Sequence, residues 1–183
     1  MARFTAVHSS LIASLASVLF AAVAVADPGT TWDKKFGATR FRVLSQFNDE
    51  AVLDRETGRV WERSPAPFPT SWLNALIKCY QKEDGGRRGW RLPTIEELAS
   101  LVDTSQPAPT LPLGHPFENV RSAPPSSSHP ADGYWSATTF AAPLDPSFGW
   151  FVSFRDGFPD AWDKLSRKFY WCVRGGQGID GVQ

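Results

Sequence analysis

The sequence has few of the residues from which active sites are usually built. Its 183 residues include only two cysteines, three histidines and one methionine. A zinc site needs several clustered Cys, His or carboxylate ligands, and a nucleophilic serine needs a base, usually His. His115 lies in a Gly-His-Pro-Phe turn and His129 in a Ser/Pro-rich stretch, so we expect ordinary loop histidines. We therefore predict no catalytic group, no cofactor and no bound metal.

The sequence also lacks an excess of either charge. Nineteen basic residues balance nineteen acidic ones, so the formal net charge is zero. Proteins that bind polyanions by bulk electrostatics usually carry a clear positive excess. The balance therefore argues against a nucleic-acid partner.

Long hydrophobic runs are absent after the first 26 residues. The one apolar stretch, from about Leu11 to Val25, follows Arg3 and ends in Ala24-Val25-Ala26, a small-x-small cleavage pattern. The alternative is a retained membrane anchor, but the strongly apolar part is short for a span. No cysteine follows the run for lipidation. We predict that residues 1–26 are a signal peptide and that the chain is exported, to the periplasm or cell surface or as a secreted protein, without a stable membrane anchor.

The two cysteines are Cys79 and Cys172. In an exported protein an even pair predicts a disulfide, the alternative being two buried thiols. The chain-entropy model assigns a crosslink over so long a loop about 4–5 kcal/mol.

Aromatic residues are abundant, with eight Trp and thirteen Phe. The segment Gly89–Leu98 (GWRLPTIEEL) places Trp90 and Leu92 on one side of a short strand, and Pro93 ends that strand. Thr94 and Glu97 have the spacing of a capping box. This segment therefore predicts a strand-to-helix corner, with the helix running to about Asp103.

Other patterns predict an α+β fold. Residues 51–54 and 59–62 flank Arg55-Glu56-Thr57-Gly58 and predict a hairpin. Thr70 or Ser71 can cap a helix whose buried face carries Trp72, Ala75, Leu76, Cys79 and Tyr80. Further strands are predicted at 41–46, 134–138, 149–154 and 168–174. The predicted organisation is an arm at 27–39, a domain at 40–176 containing a Pro/Ser-rich loop at 104–133, and a tail at 177–183.

Six segments, in this order, resemble the bacterial Lcl C-terminal domain family, which is named from a collagen-like adhesin. They are AVLDRETGRVWER at Ala51–Arg63, the helix carrying Cys79, GWRLPTIEEL at Gly89–Leu98, HPF at His115–Phe117, YWSAT at Tyr134–Thr138 and CVRGG at Cys172–Gly176. The RLPT-x-x-E corner and the terminal RGG also resemble the formylglycine-generating enzyme group, a branch of the C-type lectin-like fold.

The resemblance implies a C-type lectin-like domain, in which a disulfide ties the first helix to the last strand. It implies binding of a glycan or protein more readily than catalysis. Formylglycine-type chemistry needs a cysteine pair, and both cysteines here are assigned to the bridge. The naming adhesin binds sulfated glycosaminoglycans, but this chain has neither a collagen-like repeat nor a strong positive charge.

The predicted binding surface lies in the late loops. Trp90, Trp135, Trp150 and Trp171 fall in strand motifs and are expected in the core. Phe158 and Trp162 flank Pro159 in a predicted loop, where aromatic faces could stack on sugar rings or peptides. The candidate ligand-binding residues are Arg155, Asp156, Phe158, Asp160, Trp162 and Lys164.

Two charged clusters have simpler explanations. Asp156, Asp160 and Asp163 could surround calcium, but we expect a solvated acidic turn. The calcium-binding strings of sugar-binding lectins, Glu-Pro-Asn and Trp-Asn-Asp, are absent. Arg87, Arg88 and Arg91 could contact a sulfated or phosphorylated glycan, but we expect a solvated turn, with Arg91 paired to Glu96 or Glu97.

Overall fold

A computed structural model describes residues 40–122, 133–141 and 146–175. The predicted signal peptide, arm and tail lie outside the described residues, as does the 123–132 part of the Pro/Ser-rich loop. Within the described ranges, no helix has both the length and the apolar character that crossing a membrane requires.

Five short strands form an antiparallel sheet in the order β1-β2-β3-β8-β4. They are β1 (Phe41–Val43), β2 (Ala51–Asp54), β3 (Arg59–Glu62), β4 (Trp90–Arg91) and β8 (Val173–Arg174). The predicted β2–β3 hairpin is confirmed, and Gly58 takes the positive φ of +68° in its turn. The chain therefore returns its last strand to the centre of this sheet, between β3 and β4.

Two predicted strands are much shorter than expected, and the predicted strand at 149–154 ends two residues early, at Val152. The first ends at Val43 because residues 45–47 form a 3-10 turn, in which the Phe47 amide donates to the Leu44 carbonyl. Of the last predicted strand, residues 168–174, only Val173–Arg174 forms a strand. Lys168 and Phe169 instead make isolated bridges to Thr70 and Tyr134, so this segment joins separate parts of the molecule.

The described residues that follow β3 contain two α-helices, α1 (Trp72–Tyr80) and α2 (Ile95–Ala99). The capping box at α2 is confirmed: Thr94 Oγ1 accepts from the Glu97 amide, and the Glu97 carboxylate accepts from the Thr94 amide. The prediction that α2 reaches Asp103 is wrong. The Asp103 amide donates to the Thr110 carbonyl instead of continuing the helix, so a bond to the following loop turns the chain away.

A second antiparallel sheet contains β5 (Tyr134–Thr139), β6 (Phe148–Val152) and β7 (Pro159–Asp163). Strand β7 corrects the expectation that residues 155–164 form a loop. Asp and Pro are depleted in strands, so the composition of this segment did not predict a strand. Gly157 at φ +79° and a bond from the Ser153 amide to the Phe158 carbonyl close a tight turn that aligns β7 with β6. Pro is tolerated there because β7 is an edge strand.

The disulfide and most of the aromatic core agree with the sequence predictions. Cys79 on α1 is bonded to Cys172, just before β8, and both residues are fully buried. Trp90, Trp135 and Trp171 are buried as expected. Trp150 is only half-buried and packs against Phe140. The described chain is therefore an α+β fold, with two small antiparallel sheets and a disulfide that ties the first helix to the last strand.

Gly149 sets the distance between α1 and the second sheet. The Trp72 indole covers it and donates to the Ser136 carbonyl at 2.7 Å. A Cβ at Gly149 would lie 2.9 Å from Trp72 Cδ1, closer than packed carbons allow. We expect Gly149→Ala to reduce the free energy of unfolding by about 1–3 kcal/mol, as overpacking does, measured by urea denaturation. In a Trp72→Ala background the same substitution should cost much less, and equal costs in both backgrounds would rule out this contact as the cause.

Candidate functional site

The six predicted binding residues lie on one hairpin but not in one cluster. Arg155 and Asp156 are in the β6–β7 turn, and Phe158 directly precedes β7. Asp160 and Trp162 are in β7, and Lys164 follows it. A strand rises about 3.3 Å per residue, so Lys164 is separated from the turn by the length of β7, about 16 Å. The structure therefore divides the set into a turn end, an aromatic middle and a lysine end.

The aromatic middle of the hairpin is open to solvent. Phe158 is 69% exposed and Trp162 53% exposed. Side chains alternate along a strand, so Phe158, Asp160 and Trp162 project to the same side. The Lys168 ammonium lies 5.8 Å from the Trp162 ring and 3.5 Å from the Phe151 ring beneath. We call Phe158, Asp160 and Trp162 the β7 surface.

The two ends of the hairpin carry charges with local partners. Arg155 donates to Asp156 at 2.7 Å. Desolvation alone would raise the pKa of Asp156, but hydrogen bonds from Arg155 and from the Phe158 amide lower it. At the other end, Lys164 Nζ donates to Thr139 Oγ1 at 3.0 Å and to the Pro146 carbonyl at 2.7 Å. Lys164 therefore connects β7 to the β5–β6 connection.

The three aspartates proposed as a calcium alternative direct their oxygens into their own turns. Asp160 Oδ1 accepts from the Ala161 amide and Asp163 Oδ1 from the Leu165 amide, both at 2.7 Å. Asp156 is paired with Arg155. Across the described ranges, no three His, Cys, Asp or Glu residues come together in a way that could hold a metal ion. The hairpin therefore offers these carboxylates as hydrogen-bond acceptors.

The outer edge of β7 is protected against strand addition at two of its positions. Bonds from Ser153 to Phe158 and from Lys164 to Ser147 show that the even-numbered residues of β7 pair with β6. The backbone amide and carbonyl groups of the odd-numbered residues therefore point away from β6. Among these residues, Pro159 has no amide hydrogen, and the Ala161 amide donates to the Asp160 carboxylate. Edge strands are commonly protected in this way. A ligand at β7 would be recognised by side chains.

A second surface feature lies beside α1, and the sequence did not predict it. An open, mainly apolar groove of about 540 Å³ is lined by Leu76, Tyr80, Arg91, Leu92, Thr94 and Ala137. Tyr80 also borders a hollow of about 380 Å³, lined by Gln81, Glu83, Arg88 and Gly89. The prediction that Tyr80 faces the core is wrong, because it is 81% exposed. The sequence did contain a signal for this exposure: the apolar residues of α1 span a wider arc than the side of the helix that packs against the core.

The arginine cluster is divided among separate partners. Arg91 donates to both oxygens of Glu97 at 2.7 Å, and Arg59 Nε donates to Glu97 Oε1 at 2.6 Å. Arg88 pairs with Glu83, and the Arg87 guanidinium lies over the Phe47 ring. Burial alone would raise the pKa of Glu97, but hydrogen bonds from Arg91, the Thr94 amide and Arg59 lower it to about 2. The predicted pairing of Arg91 with Glu97 is thus confirmed and belongs to the folding corner.

Glu62 is a fully buried carboxylate beside the disulfide. Its side chain accepts from the Cys172 amide and forms an ion pair with Lys82, which also contacts Asp84 at 3.3 Å. Burial raises the pKa of Glu62 to about 7, despite the opposing effect of Lys82. This carboxylate therefore titrates near neutral pH within the core.

Comparison with known families supports the resemblance carried by the six sequence segments. Residues 50–174 match the family model of the Lcl C-terminal domain, which is more than half of the chain. The chain belongs to the Lcl C-terminal domain family. The matched region includes both cysteines and, of the elements in the described residues, α1, α2 and every strand except β1. A search of curated proteins finds no significant match to this chain.

The two carboxylates give this Lcl C-terminal domain opposite pH dependences. The pKa of Glu97 is lowered from 4.5 to about 2, so its stabilisation is present above pH 4.5 and is lost as the pH falls through 2. The pKa of Glu62 is raised from 4.5 to about 7, so the fold favours its protonated form. The contribution of Glu62 is therefore largest below pH 4.5 and is lost as the pH rises through 7.

We expect the wild type to lose up to about 3 kcal/mol of unfolding free energy relative to Glu62→Gln between pH 5 and pH 8. Urea denaturation at several pH values measures both proteins. The difference between them isolates Glu62 from His115, whose pKa is lowered by burial. A wild type that gains stability relative to Glu62→Gln over this range would mean that Lys82 keeps the carboxylate ionised.

Proposed function

We propose that this Lcl C-terminal domain is an exported, non-catalytic binding module that recognises a glycan or protein at the cell envelope or surface. The observation that carries the proposal is the β7 surface. Two exposed aromatic side chains stand on one side of a strand that hydrogen bonds hold against β6. Exposed aromatic residues provide large contact areas at low entropic cost, and they need a rigid support to bind well.

The geometry of the β7 surface favours an extended ligand. Phe158 and Trp162 are four residues apart, or about 13 Å along a strand. Asp160 lies between them and supplies a carboxylate that can accept hydrogen bonds from sugar hydroxyls or peptide amides. The paired Arg155 and Asp156 extend the polar groups at one end. A glycan chain lying along β7 would use both rings for stacking and the carboxylates for specificity.

The fold proposed for this module is C-type lectin-like, related to the formylglycine-generating enzyme branch. Its support is the bond between Cys79 on the first helix and Cys172 beside the last strand, together with two small sheets. The same disulfide favours an oxidising compartment and hence export. It also supports a non-catalytic role, since it occupies both cysteines that formylglycine-type chemistry would require.

A glycan array tests the proposed function. We expect the wild type to bind a set of glycans, and Trp162→Ala and Phe158→Ala to lose most of that binding. Tyr80→Ala is the matched control, because it removes an aromatic side chain that is more exposed but lies on α1. Unchanged binding in both β7 variants, or equal loss in the control, would contradict the assignment of the site.

The second candidate function is an assembly component of an envelope complex or appendage. The exposed apolar side of α1 favours it, because large apolar side chains clustered on a surface commonly mark protein contacts. Co-purification with an envelope fraction supports this role if Ile77→Asp abolishes it. Recovery of the protein only as a free monomer would count against it.

A further inference from the structure

Lys168 is a buried basic residue beside the exposed aromatic ring of β7. Its side chain lies at the edge of the core, and the residue is 8% exposed. Its ammonium is 3.5 Å from the centroid of the Phe151 ring and 5.8 Å from the centroids of Trp135 and Trp162. Trp135 and Phe151 are buried, whereas Trp162 is more than half exposed. One positive charge therefore contacts core rings and a ring of the β7 surface.

The backbone of Lys168 is fixed by residues outside β7. The Lys168 amide donates to the Thr70 carbonyl at 3.0 Å, and the Thr70 amide donates to the Lys168 carbonyl at 2.8 Å. The Trp135 indole also donates to the Thr70 carbonyl, at 3.0 Å. Lys168 and Trp135 thus share one anchor, and the position of the ammonium does not depend on the edge strand.

Trp162 has no side chain opposite it in the sheet. Its partner on β6 is Gly149, and the space above that glycine is taken by Trp72, whose Cδ1 would lie 2.9 Å from a Cβ there. Side chains on a sheet are usually supported by the residue directly opposite. The contact with Lys168 therefore gives the Trp162 ring a support that the strand pairing does not.

The same contact changes which ligands suit Trp162. Aromatic faces carry a negative potential, and clusters of rings attract cations such as quaternary ammonium groups. Here the cluster of Trp135, Phe151 and Trp162 already holds the ammonium of Lys168. A second cation stacking on Trp162 would be repelled by that charge, whereas an uncharged sugar ring would not be.

We propose that Lys168 positions the Trp162 ring and makes the β7 surface select an uncharged ring, such as a neutral sugar, over a cationic group. This inference rests on the proposed function, because it concerns how the same surface selects its ligand. The cation–π contact holds the ring beside the core and leaves more than half of it open for stacking. Sugars with a free amine and the side chains of lysine and arginine are disfavoured as partners of Trp162.

Fluorescence quenching by iodide and by caesium ions tests the proposal without a ligand. The two ions carry opposite charges, and the difference between each protein and its Trp162→Phe version isolates the emission of Trp162. We expect Lys168→Met to lower the ratio of the iodide to the caesium quenching constant at least two-fold, because it removes a charge 5.8 Å from the ring. Lys168→Arg should keep the wild-type ratio.

Two further variants separate the charge from other effects. Lys168→Gln keeps a hydrogen-bond donor and should lower the ratio as Lys168→Met does. Lys78→Met removes a lysine of α1 and should leave the ratio unchanged. Circular dichroism checks that each variant is folded.

The glycan array supplies the test of selection. We expect Lys168→Met to weaken the binding of neutral glycans about two- to ten-fold, the range of one cation–π contact, and Lys168→Arg to retain it. Glycans with a free amine should bind the wild type less tightly than their N-acetylated counterparts, and Lys168→Met should reduce that difference.

Three quenching results would overturn the inference: an unchanged ratio in Lys168→Met, an equal fall in Lys78→Met, or a fall that also occurs in Lys168→Arg. Equal binding of free-amine and N-acetylated glycans by the wild type would overturn the selection. If no glycan binds but the quenching results hold, the proposed function fails while the contact of Lys168 with Trp162 stands. Glycan binding that depends on Trp162 but not on Lys168 would leave only the β7 proposal.

Discussion

Replacing Trp90 with alanine should lower the free energy of unfolding by about 3–5 kcal/mol, the range for deleting a large buried aromatic side chain. Trp90 is 1% exposed. Its indole packs edge-on against Phe47 and donates to the Arg87 carbonyl at 2.9 Å. It belongs to the same buried cluster as Cys79 and Cys172. Truncation would leave a cavity beside the disulfide and an unpaired carbonyl.

Urea denaturation measures the effect of Trp90→Ala, with Trp162→Ala as the matched control. Trp162 is 53% exposed, so its truncation should cost less than about 1 kcal/mol. Protein of the Trp90 variant that remains folded should still bind the ligand of the β7 surface. If Trp90→Ala instead keeps full stability but loses ligand binding, the binding site lies near Trp90 and its assignment to the β7 surface is wrong.

Removal of the disulfide should have a comparable effect. Cys79 and Cys172 are 93 residues apart in sequence, and the chain-entropy model assigns such a crosslink about 4–5 kcal/mol. The double variant Cys79→Ala, Cys172→Ala removes the bond without leaving a reactive thiol. We expect its midpoint in urea to fall well below that of the wild type. Wild type measured in dithiothreitol is the control, since it keeps both side chains.

Agreement between the double variant and the reduced wild type would assign the loss to the crosslink. A large loss only in the alanine variant would instead assign it to the cavity. A loss below about 1 kcal/mol in both would show that the first helix is held to β8 by packing alone, which contradicts the role given to the bridge.

Local rules predicted much of the fold. The capping box at Thr94 and Glu97 and the glycine turn at Gly58 depend on residues close in sequence. Their chemistry can therefore be read directly. The disulfide followed from the even number of cysteines in a chain with an export pattern. The family match over residues 50–174 confirms the membership of the Lcl C-terminal domain family that the sequence segments predicted.

The wrong predictions concern segments whose conformation is set by a contact with another segment and not by their own composition. Strand β7 has a composition that disfavours strands, and it forms because a tight turn aligns it with β6. Helix α2 ends early because Asp103 bonds to Thr110. Tyr80 follows Cys79, whose bond to Cys172 helps to set the rotation of α1 and leaves Tyr80 in solvent. None of these contacts between different segments can be derived from the propensity of a single helix or strand window.

The exposure of the candidate aromatic residues was predictable from the sequence, but the arrangement of the six candidate residues was not. Phe158 and Trp162 were expected at the surface because they flank Pro159, and both are exposed although residues 159–163 form a strand and not a loop. The separation of Lys164 from Arg155 could not be foreseen, because a loop would have permitted them to meet and a strand does not. The α1 groove was missed because its lining comes from α1, β4 and β5, which are distant in sequence.

The most direct test of the binding proposal uses the tryptophan indole signals in a proton–nitrogen NMR spectrum. The chain has eight tryptophans, and a Trp162→Phe variant assigns the signal of Trp162 by its absence. On titration with the best glycan from the array, we expect the Trp162 signal to shift. The signals of buried Trp61, Trp90 and Trp171 should stay in place. A bound glycan that leaves the Trp162 signal unmoved would contradict recognition by the β7 surface.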